Sequence, residues 1–196
     1  MIVHNWTTNE TRTVADWVDV VRTNEELCDD LRQAEVITMW LGWHDVVPSI
    51  LVDQLNSCCR GPQGADSDCL QEVTGPMEDG FDHLLSEIVF LASAAETLVL
   101  IADTGTPPLF VETWQEQGTF DVMQEHASEV WRGHILEAAG NHGVHVVRTY
   151  EVINGPNGDQ PPAPEHRQSD GLHFSAQGRR LIADRHREAG YVYAVP

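Results

Sequence analysis

The 196 residues are enough for one domain with a proper core, and we read 1–196 as a single unit. A hydrophobic content of 41% excludes a disordered polymer. The formal net charge of −20 comes from 31 acidic residues against 11 arginines and no lysine. It excludes the basic surface that nucleic acid or an anionic membrane requires, and it suits a highly soluble secreted or salt-tolerant protein.

At the N-terminus, Met1 to Trp6 has no basic start and no apolar run, so it does not read as a signal peptide. No stretch is apolar enough to span a bilayer. Ile2-Val3 reads as the remnant of a strand. Thr13 to Arg22 and Glu25 to Gln33 read as helices. Glu35 to Leu41 is a β-rich apolar run ending at Gly42, which predicts a buried strand. Val46 to Leu55 follows as a helix with Pro48 in its first turn.

Cys58, Cys59 and Cys69 then bracket a Gly/Asp/Ser-rich loop, while Cys28 stands apart. The loop lacks C-x-x-C spacing and contains no histidine, so a disulfide from Cys58 or Cys59 to Cys69 is favoured over zinc. Such a bond implies an oxidising compartment.

Met77 to Ser93 has helical spacing through Phe81, Leu84, Leu85, Ile88 and Leu91. Thr97 to Ala102 is a second buried strand, ending in the loop Asp103-Thr104-Gly105-Thr106-Pro107-Pro108. Phe120 to Ala139 reads as a helix closed by Gly140 and Gly143, and Val144 to Arg148 as a third strand. A turn-rich segment, Asn154 to Gln168, precedes the final helix, Ala176 to Glu188, with Ser175 as its N-cap. Strands alternating with helices predict an α/β fold whose parallel sheet is covered on both faces. Ligands bind such sheets at the C-terminal ends of the strands. Gly42 to Asp45, the loop after Ala102 and the segment around Asp170 and His173 all fall at that edge.

Asp170 stands three residues before His173 on a loop feeding a helix. This is a compact way to pair a base with an orienting acid. The imidazole can take a proton from a hydroxyl nucleophile, and the carboxylate can fix its tautomer and stabilise the imidazolium. Several bland readings compete. Asp45 can simply cap the helix it begins, Ser175 serves as a helix cap rather than a nucleophile, and Ser49 lies on a predicted helix. His142 and His145 read as structural or exposed, and Trp40 and Trp131 as core. Trp43 and Trp114 lie in loops near the site edge, where they could line an acyl or sugar pocket.

The stretches Val36 to Asp45 and Ser169 to Gly178, with the turn Ile153-Asn154-Gly155-Pro156-Asn157-Gly158, resemble the SGNH hydrolases, also called GDSL-like lipases and esterases. The resemblance covers the whole chain. It implies a three-layer α/β/α, flavodoxin-like fold and ester hydrolysis by a Ser-His-Asp triad, with no metal and no cofactor. Carried over, His173 is the base and Asp170 its partner, while Gly42 and His44 belong to the motif that helps hold the oxyanion and substrate.

Three departures matter. No Gly-Asp-Ser occurs in the chain. Glu10 falls where the family has an oxyanion-holding glycine, and a carboxylate there opposes charge stabilisation. His44 replaces an asparagine. We therefore expect an N-terminally truncated domain that lacks its signal peptide, its first strand, its serine turn and its first helix. That strand is central in a 2-1-3-4-5 sheet, so the remainder should associate poorly folded. The complete protein is expected to be an extracellular monomer acting on a small-molecule ester or acylated carbohydrate, and this chain to be inactive alone. The alternative is a non-catalytic carbohydrate- or ligand-binding domain on the same scaffold. A metal-dependent hydrolase using the scattered histidines ranks third.

Overall fold

A computed structural model describes residues 4–6, 12–42, 45, 68, 74–93, 96–103, 106, 111–112, 115–116, 118, 121, 130–158, 160–171 and 173–190. Three short strands, β1 (Val36–Met39), β2 (Leu98–Ala102) and β3 (His145–Val147), form a parallel sheet in the order β1-β2-β3. The register aligns Met39 with Ile101 and Ile101 with Val146. Each parallel neighbour needs a long crossover. The helices α3 (Pro76–Ala92) and α4 (Trp131–His142) lie in those crossovers.

Side chains alternate across a strand, so the register sorts residues to two faces. Ile37, Met39, Val99, Ile101 and Val146 join the main core with α1 (Val14–Thr23), α2 (Glu25–Gln33), α3 and α4. Leu100, Ala102 and Val147 point the other way and are also buried. On that second side Trp40 meets Phe174, with ring centroids 5.6 Å apart. Gly190, just beyond α6 (Ala176–Glu188), lies so that an added Cβ would sit 4.0 Å from Leu98. The fold is therefore α/β with helices on both faces of a parallel sheet, as the strand–helix alternation predicts.

The long helix α3 explains why the main core forms. Pro76 opens it, where a missing N–H costs nothing. Met77, Phe81, Leu84, Leu85, Ile88 and Ala92 recur at helical spacing and are buried against α1, α2 and α4. Gly80 lets α1 approach, since a Cβ there would lie 3.3 Å from Val14. Helix α1 begins with a capping box in which the Thr13 hydroxyl accepts from Asp16 N and the Asp16 carboxylate accepts from Thr13 N.

Some boundaries differ from expectation. Helix α4 runs through Gly140 and ends at Gly143, whose φ of 66° supplies the left-handed cap. Its predicted start at Phe120 lies outside the described residues. The segment after β3 is not plain loop: it holds α5 (Tyr150–Asn154) and a 3₁₀ turn at Pro164–His166. The Ile2-Val3 strand, the Val46–Leu55 helix with Ser49, Glu10, and the loop of Cys58, Cys59 and Cys69 also lie outside the described residues. Cys28 is a free thiol that donates to Val21 O at 2.9 Å.

Candidate active site

The C-terminal ends of the strands are held together by two buried polar side chains. Asp103, immediately after β2, has a fully buried carboxylate. Its Oδ1 accepts from Thr149 N at 2.7 Å and Tyr150 N at 2.9 Å, and its Oδ2 from Arg132 Nε at 3.1 Å. It thus caps the first turn of α5 from a different strand and ties in α4. Asn154, at the end of α5, accepts from Thr106 N at 2.7 Å and donates to Thr106 O at 2.9 Å and Gln160 O at 3.0 Å. The loop after β2 and the Gly155–Gln160 turn are fixed to one helix in this way. Gly158 is required there, because a Cβ would fall 1.9 Å from the Tyr150 hydroxyl.

From this base the chain enters the loop carrying Asp170 and His173. Arg167 and Phe174 form an antiparallel bridge that closes it. Inside, Gln168 N donates to His173 O at 2.8 Å and Gly171 N to Gln168 O at 3.1 Å. Gly171 takes a φ of 71°, which favours glycine. Beyond the loop Ser175 is the N-cap of α6, its hydroxyl accepting from Gly178 N at 3.1 Å and donating to Glu165 O at 2.6 Å. Gly178 is where α6 meets the 3₁₀ turn: a Cβ there would lie 2.3 Å from His166 O. The Ser175-Ala176-Gln177-Gly178 sequence therefore has a local reason, one residue capping the helix and another allowing its close approach.

Within that loop the structure brings Asp170 and His173 together. Asp170 Oδ2 lies 2.7 Å from His173 Nδ1, and Oδ1 accepts from His173 N at 3.0 Å. A carboxylate facing Nδ1 selects the tautomer with its proton there, which leaves Nε2 as the basic nitrogen. The imidazole is 72% exposed and the carboxyl 43%, so the pair stands open to solvent. Trp40, at the end of β1, packs on Phe174 next to His173 and brings the C-terminal end of β1 to the same loop.

Gly42 follows two residues after Trp40. Its φ is 102°, and an added Cβ would fall 2.6 Å from Trp131 Nε1. Position and packing both demand glycine. Gly42 O accepts from Asp45 N at 3.2 Å, which makes a turn of this segment. Asp45 does more than the cap expected for its own helix: both of its carboxylate oxygens lie 3.0 Å from Val14 N, at the start of α1. Burial pushes its carboxyl up to about 6, against the lowering pull of that hydrogen bond. His44, Trp43 and Trp114 lie outside the described residues.

Sequence reasoning missed the roles of Asp103 and Asn154. The Asp-Thr-Gly-Thr loop marked a turn, but Thr149, which Asp103 binds, lies 46 residues away along the chain, and Thr106 and Asn154 are 48 residues apart. Among the remaining histidines, His142 bonds Asp82 at 2.9 Å. Asp82 is held below the usual carboxylate range, first by the Asn141 amide and then by His142. A shallow cavity of about 250 Å³, lined by Ala92, Thr97, Val99, His142 and His145 among others, sits at the N-terminal ends of β2 and β3. It is at the opposite end of the sheet from His173. Among the described residues no His/Cys/Asp/Glu group is arranged to hold a metal. None of the described helices is long and apolar enough to cross a membrane.

No family profile and no curated protein matches the chain. Among solved structures, the lipase Lip_vut3 from a goat rumen metagenome superposes with a TM-score of 0.66 at 16% identity, over 91% of this chain and 74% of that one. A lipase/acylhydrolase from Enterococcus faecalis gives a TM-score of 0.49 at 15% identity, over 95% of this chain and 75% of that one. The first likeness shows a shared fold.

Proposed function

We propose that the chain is an SGNH-type serine ester hydrolase domain in which His173 is the general base and Asp170 its orienting acid. The observation that carries this reading is the 2.7 Å contact from Asp170 to His173 Nδ1, on a loop packed beside the end of β1. The likeness in fold to the rumen lipase supports it.

In this reading the serine stands on a strand that the 2-1-3-4-5 order seats against the outer edge of β1. His173 Nε2 takes the hydroxyl proton as the serine oxygen bonds to the ester carbonyl carbon. The carbonyl oxygen gains the negative charge and sits near the Gly42 turn, with His44 as a donor. Collapse breaks the bond to the alkoxy oxygen, which leaves with the proton from His173. Water then repeats the sequence on the acyl-serine, His173 acting again as base and then as acid. Asp170 stays ionised throughout and stabilises the imidazolium.

A net charge of −20 makes an uncharged ester or acylated sugar a better substrate than an anionic one. The complete protein is proposed to be an extracellular monomer with a disulfide from Cys58 or Cys59 to Cys69, and to need no cofactor.

The test is turnover of short-chain p-nitrophenyl esters. The 196-residue chain should give none above buffer, and the reading frame extended upstream of Met1 should give turnover that His173→Ala lowers by roughly 10⁶-fold. Unchanged turnover in His173→Ala, or an extended frame without a Gly-Asp-Ser, would remove the assignment. His44, in place of an oxyanion-holding asparagine, favours a second reading as a binding domain. Under that reading the extended protein binds glycan or ester and does not turn it over.

A further inference from the structure

The loop of Asp170 and His173 stands on a narrow neck, the antiparallel bridge of Arg167 and Phe174. Two backbone hydrogen bonds join the strands of that neck to each other. Gln168 N donates to His173 O at 2.8 Å, and Ser175 N to His166 O at 2.9 Å. Two side-chain contacts join the neck to the ends of two different strands of the sheet. On one side Phe174 packs on Trp40, at the end of β1. On the other, Arg167 Nη1 donates to Glu112 Oε1 at 2.6 Å.

Glu112 belongs to the segment that leaves β2, and stands 55 residues before Arg167 in the chain. Its neighbour Val111 is fully buried. Thr106, earlier in the same segment, is bonded to Asn154 through both its N–H and its carbonyl. The Glu112 carboxylate is therefore presented from an anchored backbone. Arg167 is equally constrained, since its backbone is committed to Phe174 while its guanidinium reaches Glu112.

We propose that Glu112 and Arg167 are a positioning pair that holds the neck of the His173 loop in place over the sheet. The pair acts through the Arg167–Phe174 bridge, whose Phe174 adjoins the base. Its role in catalysis rests on the ester-hydrolase reading; the tie between the two segments does not.

Magnitudes separate placement from stability. The Arg167 side chain is 31% exposed and that of Glu112 51%. An ion pair in that setting shifts an equilibrium by about fivefold at most. This is too little to decide whether the domain folds, but enough to change how often the neck leaves its place. A displacement of about 1 Å can cost roughly 10²-fold in rate, so a displaced loop adds almost nothing to turnover and kcat follows the placed population.

The first readout needs no turnover. In the 196-residue chain, amide hydrogen exchange at Gln168 and Ser175 reports opening of the neck. Protection should fall about fivefold in Arg167→Gln and in Glu112→Gln, with little change in the urea midpoint. The double variant should lose no more than either single one, because the two residues act as one contact. Arg167→Lys should keep most of the protection, since a single donor meets Glu112. Unchanged protection in the single variants, additive losses in the double one, or a loss in Arg167→Lys equal to that in Arg167→Gln overturns the tie. The second readout is kinetic, in the extended protein. Arg167→Gln should lower kcat about two- to fivefold at unchanged KM, and Arg167→Lys should restore it. An unchanged kcat, or a change confined to KM, overturns the positioning role. An extended wild-type protein without turnover overturns the hydrolase reading and the catalytic role with it, while the exchange result decides the tie by itself.

Discussion

The His173 ring is engaged at Nδ1 by Asp170, and the loop that holds the pair owes its shape to three small contacts: the bridge of Arg167 to Phe174, the positive φ of Gly171, and the hydroxyl of Ser175. Exposed ion pairs contribute about 0–1 kcal/mol, so the Asp170 contact has little to do with stability. Asp170→Asn should leave the urea midpoint nearly unchanged while lowering kcat of the extended protein by roughly 10³–10⁴-fold, because the amide favours the wrong tautomer. Equal losses in stability and activity would make Asp170 a structural residue. Gly178→Ala should do the reverse. Its Cβ would meet His166 O at 2.3 Å, and relief requires moving α6 from the 3₁₀ turn, at a cost of about 1–3 kcal/mol in urea unfolding. The Asp170/His173 pair was legible in the sequence because its partners are three residues apart. Asp45 was read as a cap and is one, but its helix is α1, a pairing that no local pattern reveals.

Among the elements, α3 shows what periodicity reads well. Its buried residues follow helical spacing, and its observed span, Pro76–Ala92, differs from expectation by one residue at each end. Helix α5 shows the opposite. It has five residues, too few to be stable by propensity, and its first amides are capped by Asp103 from the end of another strand. A short helix nucleated by a remote carboxylate leaves no periodic trace. Asp103→Ala should therefore cost about 2–6 kcal/mol, measured by urea unfolding, since it removes the acceptor of the buried Thr149 and Tyr150 amides, at about 1–3 kcal/mol each. A loss under about 1 kcal/mol would show that α5 is held by packing instead. Ser175→Ala, by contrast, removes one N-cap of α6 and should cost about 1 kcal/mol.

For the molecule as a whole, the strand–helix alternation foretold the parallel sheet, and the three described strands take neighbouring places in it. The far side of β1 bears on function. Thr38 is exposed on the second face of the sheet, and Trp40 on the same face retains 36% of its surface, beside the loop of His173. If a serine-bearing strand completes the sheet at this edge, the 196-residue chain should bind a hydrophobic dye and self-associate in light scattering, and the extended protein should do neither. A well-behaved monomer with no dye binding would contradict that. Gly42 stands out in the sequence at the end of an apolar run; the packing of its turn does not, because Trp131 and Val14 come from other helices. The most direct measurement is p-nitrophenyl ester turnover by the extended protein, wild type against His173→Ala. A loss of roughly 10⁶-fold in kcat is expected. Equal rates for the two proteins would contradict it.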